Sequence, residues 1–343
     1  MKRSISVLTS VGLSLVVGAC SVSAGVPASP SPLPTNVPPQ ATASPRPSPT
    51  TVPASPSTPA SPSPAAPSDP AATPTASPNG TITLRAYFFL GGEVGSAGLV
   101  PVLRDLPETP ATGTAAMRAL LAGPNAKERG ASPAISTTIP DGTRLLGLSI
   151  DDGVATVDLS SEFESGGGTA SCLGRLGQVV YTLTQFKSVD SVAFRVDGQP
   201  VSVFGCEGIV LDGPVGRDTD SFGETMFEAI LPAIFVERPA WGAALGHPGS
   251  VTGTANVFEA QFRFTLLDGR GRTLIDEPVH AACGTGCRGA FDVFGDSPLA
   301  HSAPKPEWGT IRVWDVSERD GTPVLVREYP VWLTPEEHEP CGC

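Results

Sequence analysis

From Thr81 onward the chain alternates short apolar runs with turn residues, the pattern of a folded sheet-containing protein. Ile82–Leu90 and Leu99–Leu106 are rich in β-branched and aromatic residues and predict two strands. Leu145–Ile150 and Val154–Leu159 flank the turn sequence Asp-Asp-Gly, which predicts a hairpin. The folded part is therefore expected to begin with strands.

Two segments carry apolar residues every three or four positions, the spacing of a helix that lies on a sheet. One begins at Thr109-Pro110 and stops at Gly123-Pro124, and the longer one is Thr169–Phe186. Two further strands, Val192–Val196 and Val201–Phe204, are expected to close the unit. Two helices among short strands with hairpin turns predict an α+β sandwich with a largely antiparallel sheet, which we place at residues 81–215.

After a short helical stretch at Glu224–Leu231, the pattern contains strands only. The seven strand candidates are Ile234–Val236, Ser250–Val257, Ala260–Leu267, Thr273–Ala281, Arg288–Val293, Gly309–Val316 and Val324–Leu333. This number of short strands predicts an all-β immunoglobulin-like sandwich at residues 230–334, followed by a tail at 335–343.

Residues 21–79 have a different composition. They contain 18 Pro in 59 residues, and Arg46 and Asp69 are their only charges. Because proline removes backbone donors and fixes φ, we expect a disordered spacer of Pro, Ser, Thr and Ala here.

The first 20 residues have the features of an export signal: Lys2 and Arg3, an apolar stretch, and small residues before Cys20. The run Val17-Gly18-Ala19-Cys20 resembles the lipobox of bacterial lipoproteins. The resemblance implies a diacylated Cys20 and an extracytoplasmic protein anchored to the bacterial cell membrane through this lipid. The alternative is an ordinary cleaved signal with a chance cysteine.

The chain is acidic, with a formal net charge of −12. Beyond residue 79 there are 19 basic and 33 acidic residues, a balance of −14. Such a surface argues against nucleic acid and anionic lipid headgroups as partners, and it favours basic or neutral proteins.

Four short motifs in the first predicted domain together resemble the GerMN domain of sporulation and spore germination lipoproteins. They are Ile139-Pro140-Asp141-Gly142-Thr143-Arg144-Leu145-Leu146, Asp152-Gly153-Val154-Ala155-Thr156-Val157-Asp158-Leu159-Ser160, Gln178-Val179-Val180-Tyr181-Thr182-Leu183-Thr184-Gln185-Phe186 and Phe194-Arg195-Val196-Asp197-Gly198. The resemblance covers about Thr81 to Val215 and implies a fold similar to the ring-building modules of envelope assemblies. Cys172 and Cys206 depart from that pattern.

The second predicted domain resembles the immunoglobulin-like domain of bacterial spore germination proteins. The residues that carry this resemblance are the run from Val251 to Ala260, Gly284-Thr285-Gly286 with Gly289-Ala290-Phe291, and Ser317-Glu318-Arg319-Asp320-Gly321. This domain often follows a GerMN domain, so the order of the two domains agrees with both resemblances.

Few residues point to catalysis. All four His lie beyond the first domain, and no Gly-x-Ser-x-Gly elbow occurs. The cluster Asp158, Ser160, Ser161 and Glu162 is interpreted as a helix-entry loop whose side chains cap backbone donors. Gly166-Gly167-Gly168 lacks a following Lys-Ser/Thr and is interpreted as a loop. We therefore expect no catalytic, cofactor or metal site, and keep a hydrolase of cell-wall glycan or peptide as the rival hypothesis.

Six cysteines besides Cys20 favour disulfides in an exported chain. Cys172 with Cys206 and Cys283 with Cys287 are the candidate pairs, which leaves Cys341 and Cys343 in the tail. A soft-metal site is the alternative, built from His280, Cys283 and Cys287 together with His338, Cys341 and Cys343.

The four tryptophans allow two interpretations. Trp241, Trp308, Trp314 and Trp332 are expected in the core of the sandwich, and an aromatic platform for sugars is the alternative. Taken together, the sequence predicts a lipid-anchored envelope protein with a non-catalytic binding or assembly role and a protein partner, linked to sporulation, germination or envelope maintenance.

Overall fold

The computed structural model describes residues 80–91, 98–205, 207–221, 224–246, 249–295 and 305–335. The predicted signal with its lipidation residue Cys20, the spacer at 21–79, Cys206, and the tail cysteines Cys341 and Cys343 all lie outside these ranges. Within the ranges, no helix combines the length and the apolar character that crossing a bilayer requires.

The first domain alternates strands with three helices. The strands are β1 (Thr81–Leu90), β2 (Gly98–Pro107), β3 (Ile135–Ser136), β4 (Leu145–Asp151), β5 (Val154–Leu159), β6 (Ser191–Val196), β7 (Gln199–Pro200), β8 (Val203–Phe204), β9 (Ile209–Val210) and β10 (Val215–Gly216). The helices are α1 (Thr112–Leu121), α2 (Ala126–Arg129) and α3 (Thr169–Leu183).

These strands form two main sheets, with orders β2-β1-β3 and β10-β6-β5-β4. The helices α1 and α3 pack against each other; α1 also contacts β1 and β4, and α3 contacts β1 and β6. The apolar stripe of α3 explains this position, because its buried residues include Leu176, Val180 and Leu183. The α+β architecture expected from the sequence is present.

One strand pair is parallel in a domain whose other strand pairs are antiparallel, as the prediction of a largely antiparallel sheet allows. β5 and β6 are parallel, with Val154 opposite Ser191 and Leu159 opposite Val196. The connection between them carries α3, and a helical crossover returns the chain in the same direction. The hairpin β4–β5 is antiparallel, as its turn sequence predicts.

Two predicted boundaries in this domain were wrong. The long helix ends at Leu183 rather than Phe186, because Gln185 turns away and binds the backbone of Arg85 in β1 through both its amide atoms. The predicted strand Val201–Phe204 is only the short β8, which pairs with β9. Gln199–Pro200 pairs with β6, and directly beyond the proline Val201 N still donates to β6, to Phe194 O at 3.0 Å.

The second domain is built from strands. They are β11 (Asp220–Ser221) and β12 (Glu224–Thr225), which precede it, and then β13 (Ile234–Arg238), β14 (Ala244–Leu245), β15 (Thr252–Ala255), β16 (Gln261–Leu267), β17 (Thr273–His280), β18 (Gly289–Asp292), β19 (Glu307–Val316) and β20 (Pro323–Leu333). A three-stranded sheet, β13-β15-β18, and a five-stranded sheet, β14-β20-β19-β16-β17, make the β-rich immunoglobulin-like fold.

All seven predicted strands occur, and the sequence pattern missed β14, which pairs in parallel with the end of β20. The helical stretch predicted at Glu224–Leu231 was wrong. The structure has β12 there and a single 3-10 turn at Glu228–Ile230. An α-helix is unstable in so short a segment, because the first turn fixes several residues for a single hydrogen bond. Pro232 also follows the segment directly.

The two domains share one hydrophobic core, and the described residues form one compact unit. A short segment that begins at Trp241 lies between β2 and β20 and bonds to both. Trp241 N donates to Pro101 O (2.9 Å), Gly242 N donates to Pro330 O (2.9 Å), and Trp332 N donates to Ala243 O (2.9 Å). This segment joins the two domains through backbone hydrogen bonds.

Candidate functional site at the domain junction

A cavity of about 610 Å³ lies between the two domains, and we call it the junction cleft. Its lining comes from α3, from the segment after β10, from the 3-10 turn, and from β13, β15 and the loop before β18. The lining residues are Tyr181, Arg217, Asp218, Asp220, Thr225, Glu228, Leu231, Phe235, Glu237, Thr254, Asn256, Gly286, Cys287 and Arg288. Its size falls within the range of small-ligand sites.

Aromatic rings from both domains form one wall of the cleft. Tyr181 of α3 lies edge-on to Phe235 of β13, with ring centroids 5.9 Å apart, and to Phe227 at 6.0 Å. Tyr87 of β1 lies 5.5 Å from Tyr181. Edge-on packing of this kind stabilises a contact beyond the area that it buries, so these rings fix the angle between the domains.

A partly buried ion pair crosses the junction beside these rings. Arg217 Nη1 donates to Glu237 Oε1 at 2.8 Å, and the hydroxyl of Tyr87 donates to the same oxygen at 2.5 Å. Arg217 Nε donates to Thr184 Oγ1 (2.8 Å), and its guanidinium lies 4.5 Å from the centre of the Tyr181 ring. The charge of Glu237 is therefore compensated from two elements, by Arg217 of the segment after β10 and by Tyr87 of β1.

This network sets the ionisation of its members. Burial opposes the charge of Glu237, but the positive charge of Arg217 and the hydrogen bonds outweigh burial, and the pKa of Glu237 is lowered. Burial raises the pKa of Tyr181 to about 12, and burial and the charge of Glu237 raise the pKa of Tyr87 as well. At neutral pH the carboxylate is charged and both phenols are neutral.

A second ion pair lies at the other end of the cleft. Arg288 binds Glu228 with two nitrogens, Nη2 to Oε1 at 2.7 Å and Nε to Oε2 at 2.8 Å, and Asn256 Nδ2 also donates to Oε1 at 3.0 Å. Burial raises the pKa of Glu228, but these hydrogen bonds and the charge of Arg288 lower it overall. Arg288 also donates to the carbonyl of Pro232, which fixes the segment that enters β13.

The rim of the cleft is acidic. Asp218 and Asp220 are exposed, and neither forms an ion pair with any residue that the structure describes. The lining holds the carboxylates of these two residues and of Glu228 and Glu237, against the guanidinium groups of Arg217 and Arg288. The cleft therefore presents surplus negative charge, which suits a ligand with a cationic group.

A disulfide closes the loop next to the cleft. Cys283 and Cys287 are bonded, with Cα atoms 5.8 Å apart. Gly286 N in this loop donates to Asn256 Oδ1 at 3.1 Å, which ties the loop to the cleft wall. Cys172 is disulfide-bonded too, and its candidate partner Cys206 lies outside the described residues.

This disulfide removes two of the six candidate ligands of the soft-metal alternative. Cys283 and Cys287 bond each other and so provide no thiolate ligands. His280 lies with its Nε2 3.2 Å from the amide nitrogen of Gln261. The described ranges contain no group of three or more His, Cys, Asp or Glu that could hold a metal, and His338 lies outside those ranges.

The carboxylate and serine cluster of the first domain lies away from the cleft and binds neighbouring loops. Asp158 Oδ1 accepts from Gly198 N (3.0 Å), and Ser160 Oγ accepts from Arg144 N (2.9 Å). A hydrogen bond from Ser160 is the main cause of the lowered pKa of Glu162. The expected capping was wrong in detail, because no side chain caps the 3-10 helix at Ser161–Glu164.

The Gly166-Gly167-Gly168 segment is a loop before α3, as the sequence indicates. A buried arginine of α3 holds it. Arg175 donates to the carbonyls of Gly166, Phe163 and Thr138. The loop therefore serves the packing of α3.

The expectation that the tryptophans form the sandwich core was wrong. None of Trp241, Trp308, Trp314 and Trp332 is buried, and Trp308 is 50% exposed. Side chains alternate along β19 and β20, so that Ile311 and Tyr329 point into the core while the tryptophans of these strands lie on the outer face.

The cleft residues were not found from the sequence. Arg217, Glu237, Glu228 and Arg288 belong to no motif, and their partners lie 20 to 60 positions away. One feature of the sequence could have pointed to Glu237, which follows three apolar residues that are buried in β13. A charge in such a strand indicates a partner on a neighbouring element.

Comparison with known protein families agrees with the fold. Residues 85–202 match the Germane family, described as sporulation and spore germination. Residues 233–322 match Gmad2, the immunoglobulin-like domain of bacterial spore germination. No curated protein matches the chain.

Three solved structures are similar. The first GerMN domain of the Bacillus subtilis sporulation protein GerM has 21% identity and a TM-score of 0.34, over 40% of this chain and 99% of that one. The tandem GerMN domains of the same protein have 18% identity and a TM-score of 0.35, over 58% of this chain and 60% of that one. A protein of Clostridium perfringens named as a candidate lipoprotein has 25% identity and a TM-score of 0.28, over 42% of this chain and 93% of that one.

The two family matches follow one another along the chain in the order that the two folds have in the structure. This chain carries a GerMN domain followed by the immunoglobulin-like domain of bacterial spore germination.

Proposed function

We propose that the chain is a lipid-anchored protein of the bacterial cell envelope that binds or assembles with a protein partner and catalyses no reaction. The lipobox-like run at Cys20 and the proline-rich spacer support the anchor. Both families are described for spore germination, which supports a role in sporulation, germination or envelope maintenance.

The state of the carboxylates in the junction cleft carries this proposal. A glycoside hydrolase needs one carboxylic acid with a raised pKa and one free carboxylate. Here Glu228 and Glu237 both have lowered pKa values, and arginine guanidinium groups hold both of them in ion pairs. Each carboxylate thus has a structural role: Glu237 joins the two domains, and Glu228 joins the segment before β13 to the second domain. The arrangement favours binding over acid-base chemistry.

The surplus negative charge of the cleft indicates the chemistry of the partner. Asp218 and Asp220 stand exposed at its rim. Charges at a rim steer a partner of opposite charge toward its site and raise the association rate, an effect that salt weakens. A basic segment of an envelope protein is the partner that this cleft fits best.

Binding by the cleft can be tested on the chain from Ser21 onward, immobilised and exposed to envelope extract. Replacing Asp218 and Asp220 by Asn should reduce retention of the bound protein at low salt. Asp141→Asn, an exposed carboxylate that lines a different cavity, is the control and should have no effect. Equal retention by all three proteins would contradict a role for the cleft.

The rival hydrolase is tested with purified peptidoglycan and with ester and peptide substrates. The proposal predicts no turnover. Turnover that disappears with Glu228→Gln, Asp158→Asn, Glu162→Gln or His280→Ala would establish an enzyme and overturn the proposal.

A further inference from the structure

A second cavity, of about 440 Å³, lies along the connecting segment, and we call it the tryptophan groove. It is lined by Val102, Leu103, Asn125, Lys127, Glu128, Trp241, Gly242, Ala243, Trp308 and Pro330. The cleft function proposed above uses none of these residues.

The groove offers an aromatic surface to solvent. Trp308 is 50% exposed. Trp332 lies directly opposite on β20 and packs edge-on against it, with ring centroids 5.3 Å apart and an angle of 70° between the ring planes. Trp241 lines the groove from the connecting segment, whose backbone is bonded to β2 and β20. The groove thus has one indole held in place by its neighbour and a second on a fixed backbone.

The polar rim of the groove is also fixed. Asn125 caps α2, accepting from Glu128 N at 3.0 Å. Glu128 is buried and receives two hydrogen bonds from Arg104, at 2.8 and 2.7 Å, so its charge is neutralised. The ammonium of Lys127 and the amide nitrogen of Asn125 have no hydrogen-bond partner in the described part of the chain.

These groups select the chemistry of a ligand. The negative face of an indole attracts the weakly positive C–H groups on one face of a pyranose ring. Lys127 and Asn125 offer donors, which complement hydroxyl, ring and acetamido oxygens. Among the groove-lining residues, only Lys127 has a charge that no described neighbour compensates, and that charge is positive. The chain as a whole carries a net charge of −12, so the groove differs from the rest of the surface. A ligand rich in oxygen acceptors complements it.

We propose that the tryptophan groove binds a β-linked chain of N-acetylated amino sugars, the class of glycan found in bacterial walls. One sugar ring stacks on Trp308, and its acetamido and hydroxyl oxygens accept from Lys127 and Asn125. Such a site would hold the tethered protein against the wall while the junction cleft remains open.

The test is a titration of the chain from Ser21 onward with the tetramer of N-acetylglucosamine, followed by tryptophan fluorescence and calorimetry. Saturable binding with a Kd below about 1 mM is expected. Trp308→Ala should weaken it at least tenfold, and Lys127→Gln severalfold. Trp314→Ala, on the same sheet face but outside the groove, should leave the Kd unchanged.

Absence of saturable binding would overturn the proposal, and so would an equal effect of Trp308→Ala and Trp314→Ala. Saturation by a proline-rich peptide without any response to the sugar would assign a different occupant and also overturn it. The Asp218 and Asp220 variants should bind the sugar normally, so failure of this proposal is distinguishable from failure of the cleft.

Discussion

Glu237 lies at a partly buried position, where burial opposes the charge of its carboxylate. Arg217 and Tyr87 both bond its Oε1, so the carboxylate stays ionised inside the junction. Replacing one member of such a pair leaves the other charge buried without compensation, which costs more than the pair itself contributes. The junction therefore depends on individual side chains as well as on buried apolar area.

Arg217→Ala should lower the free energy of unfolding by about 2 kcal/mol, between the cost for a surface pair and that for a buried pair, because it leaves the partly buried Glu237 without its cation. The matched control is Arg263→Ala, which breaks the more exposed pair with Asp276 and should cost less than about 1 kcal/mol. Urea denaturation of the chain from Ser21 onward measures both. Similar losses in the two variants would show that the Arg217 pair is no stronger than a surface pair.

The lowered pKa of Glu237 also predicts how the free energy of unfolding depends on pH. Its contribution to stability is complete above the ordinary value of 4.5 and is lost as pH falls from there through the lower pKa of the folded state. The stability difference between the natural chain and Glu237→Gln should therefore shrink as pH falls below 4.5. A difference that stays constant from pH 7 to pH 3 would contradict the assigned ionisation.

At the scale of elements, the helices and strands that could be predicted from the sequence are those whose buried side chains recur at a regular spacing. The stripe of α3 and the alternation in β16 and β19 mark a single buried face, so these elements were found with small boundary errors. The connecting segment from Trp241 to Leu245 is too short to show such a period, and backbone hydrogen bonds hold it together with the buried side chains of Ala243 and Leu245. The cleft was missed for a related reason: its ion pairs join distant positions that no local pattern connects.

Strands β13 and β15 of the second domain approach closely at Gly253, which predicts the effect of a larger side chain there on stability. A Cβ at Gly253 in β15 would collide with the carbonyl oxygen of Phe235 in β13 and lie 2.9 Å from the ring of Phe291. Gly253→Ala should therefore cost about 1 to 3 kcal/mol, the usual range for overpacking. Gly213→Ala has open space around it and should change stability by less than about 0.5 kcal/mol in urea denaturation. Equal effects would contradict the packing of these strands.

Disulfide pairing is a second prediction at this scale. We expect Cys172 to pair with Cys206, which would tie the start of α3 to the segment after β8. Closing a loop of this length contributes about 3 to 4 kcal/mol in the chain-entropy model. Non-reducing peptide mapping should recover this pair together with Cys283–Cys287. A link from Cys172 to Cys341 or Cys343 would contradict both the pairing and the two-domain organisation.

At the scale of the whole molecule, the two domains form one compact unit that carries both the junction cleft and the tryptophan groove. The connecting segment, the shared core and the Arg217–Glu237 pair all cross the junction. Domains joined in this way keep a fixed angle, so the junction cleft and the tryptophan groove are presented together. In the proposed function, the lipid at Cys20 and the proline-rich spacer place this unit outside the cytoplasmic membrane.

Membrane attachment through Cys20 is the claim on which the proposed envelope role depends, and Triton X-114 partition of the full chain expressed in a bacterium tests it most directly. The natural chain should enter the detergent phase, because two acyl chains give stable anchoring. Cys20→Ala should move the protein to the aqueous phase, while Cys172→Ala should leave it with the detergent. A Cys20→Ala protein that still partitions into detergent would contradict the anchor and with it the proposed function.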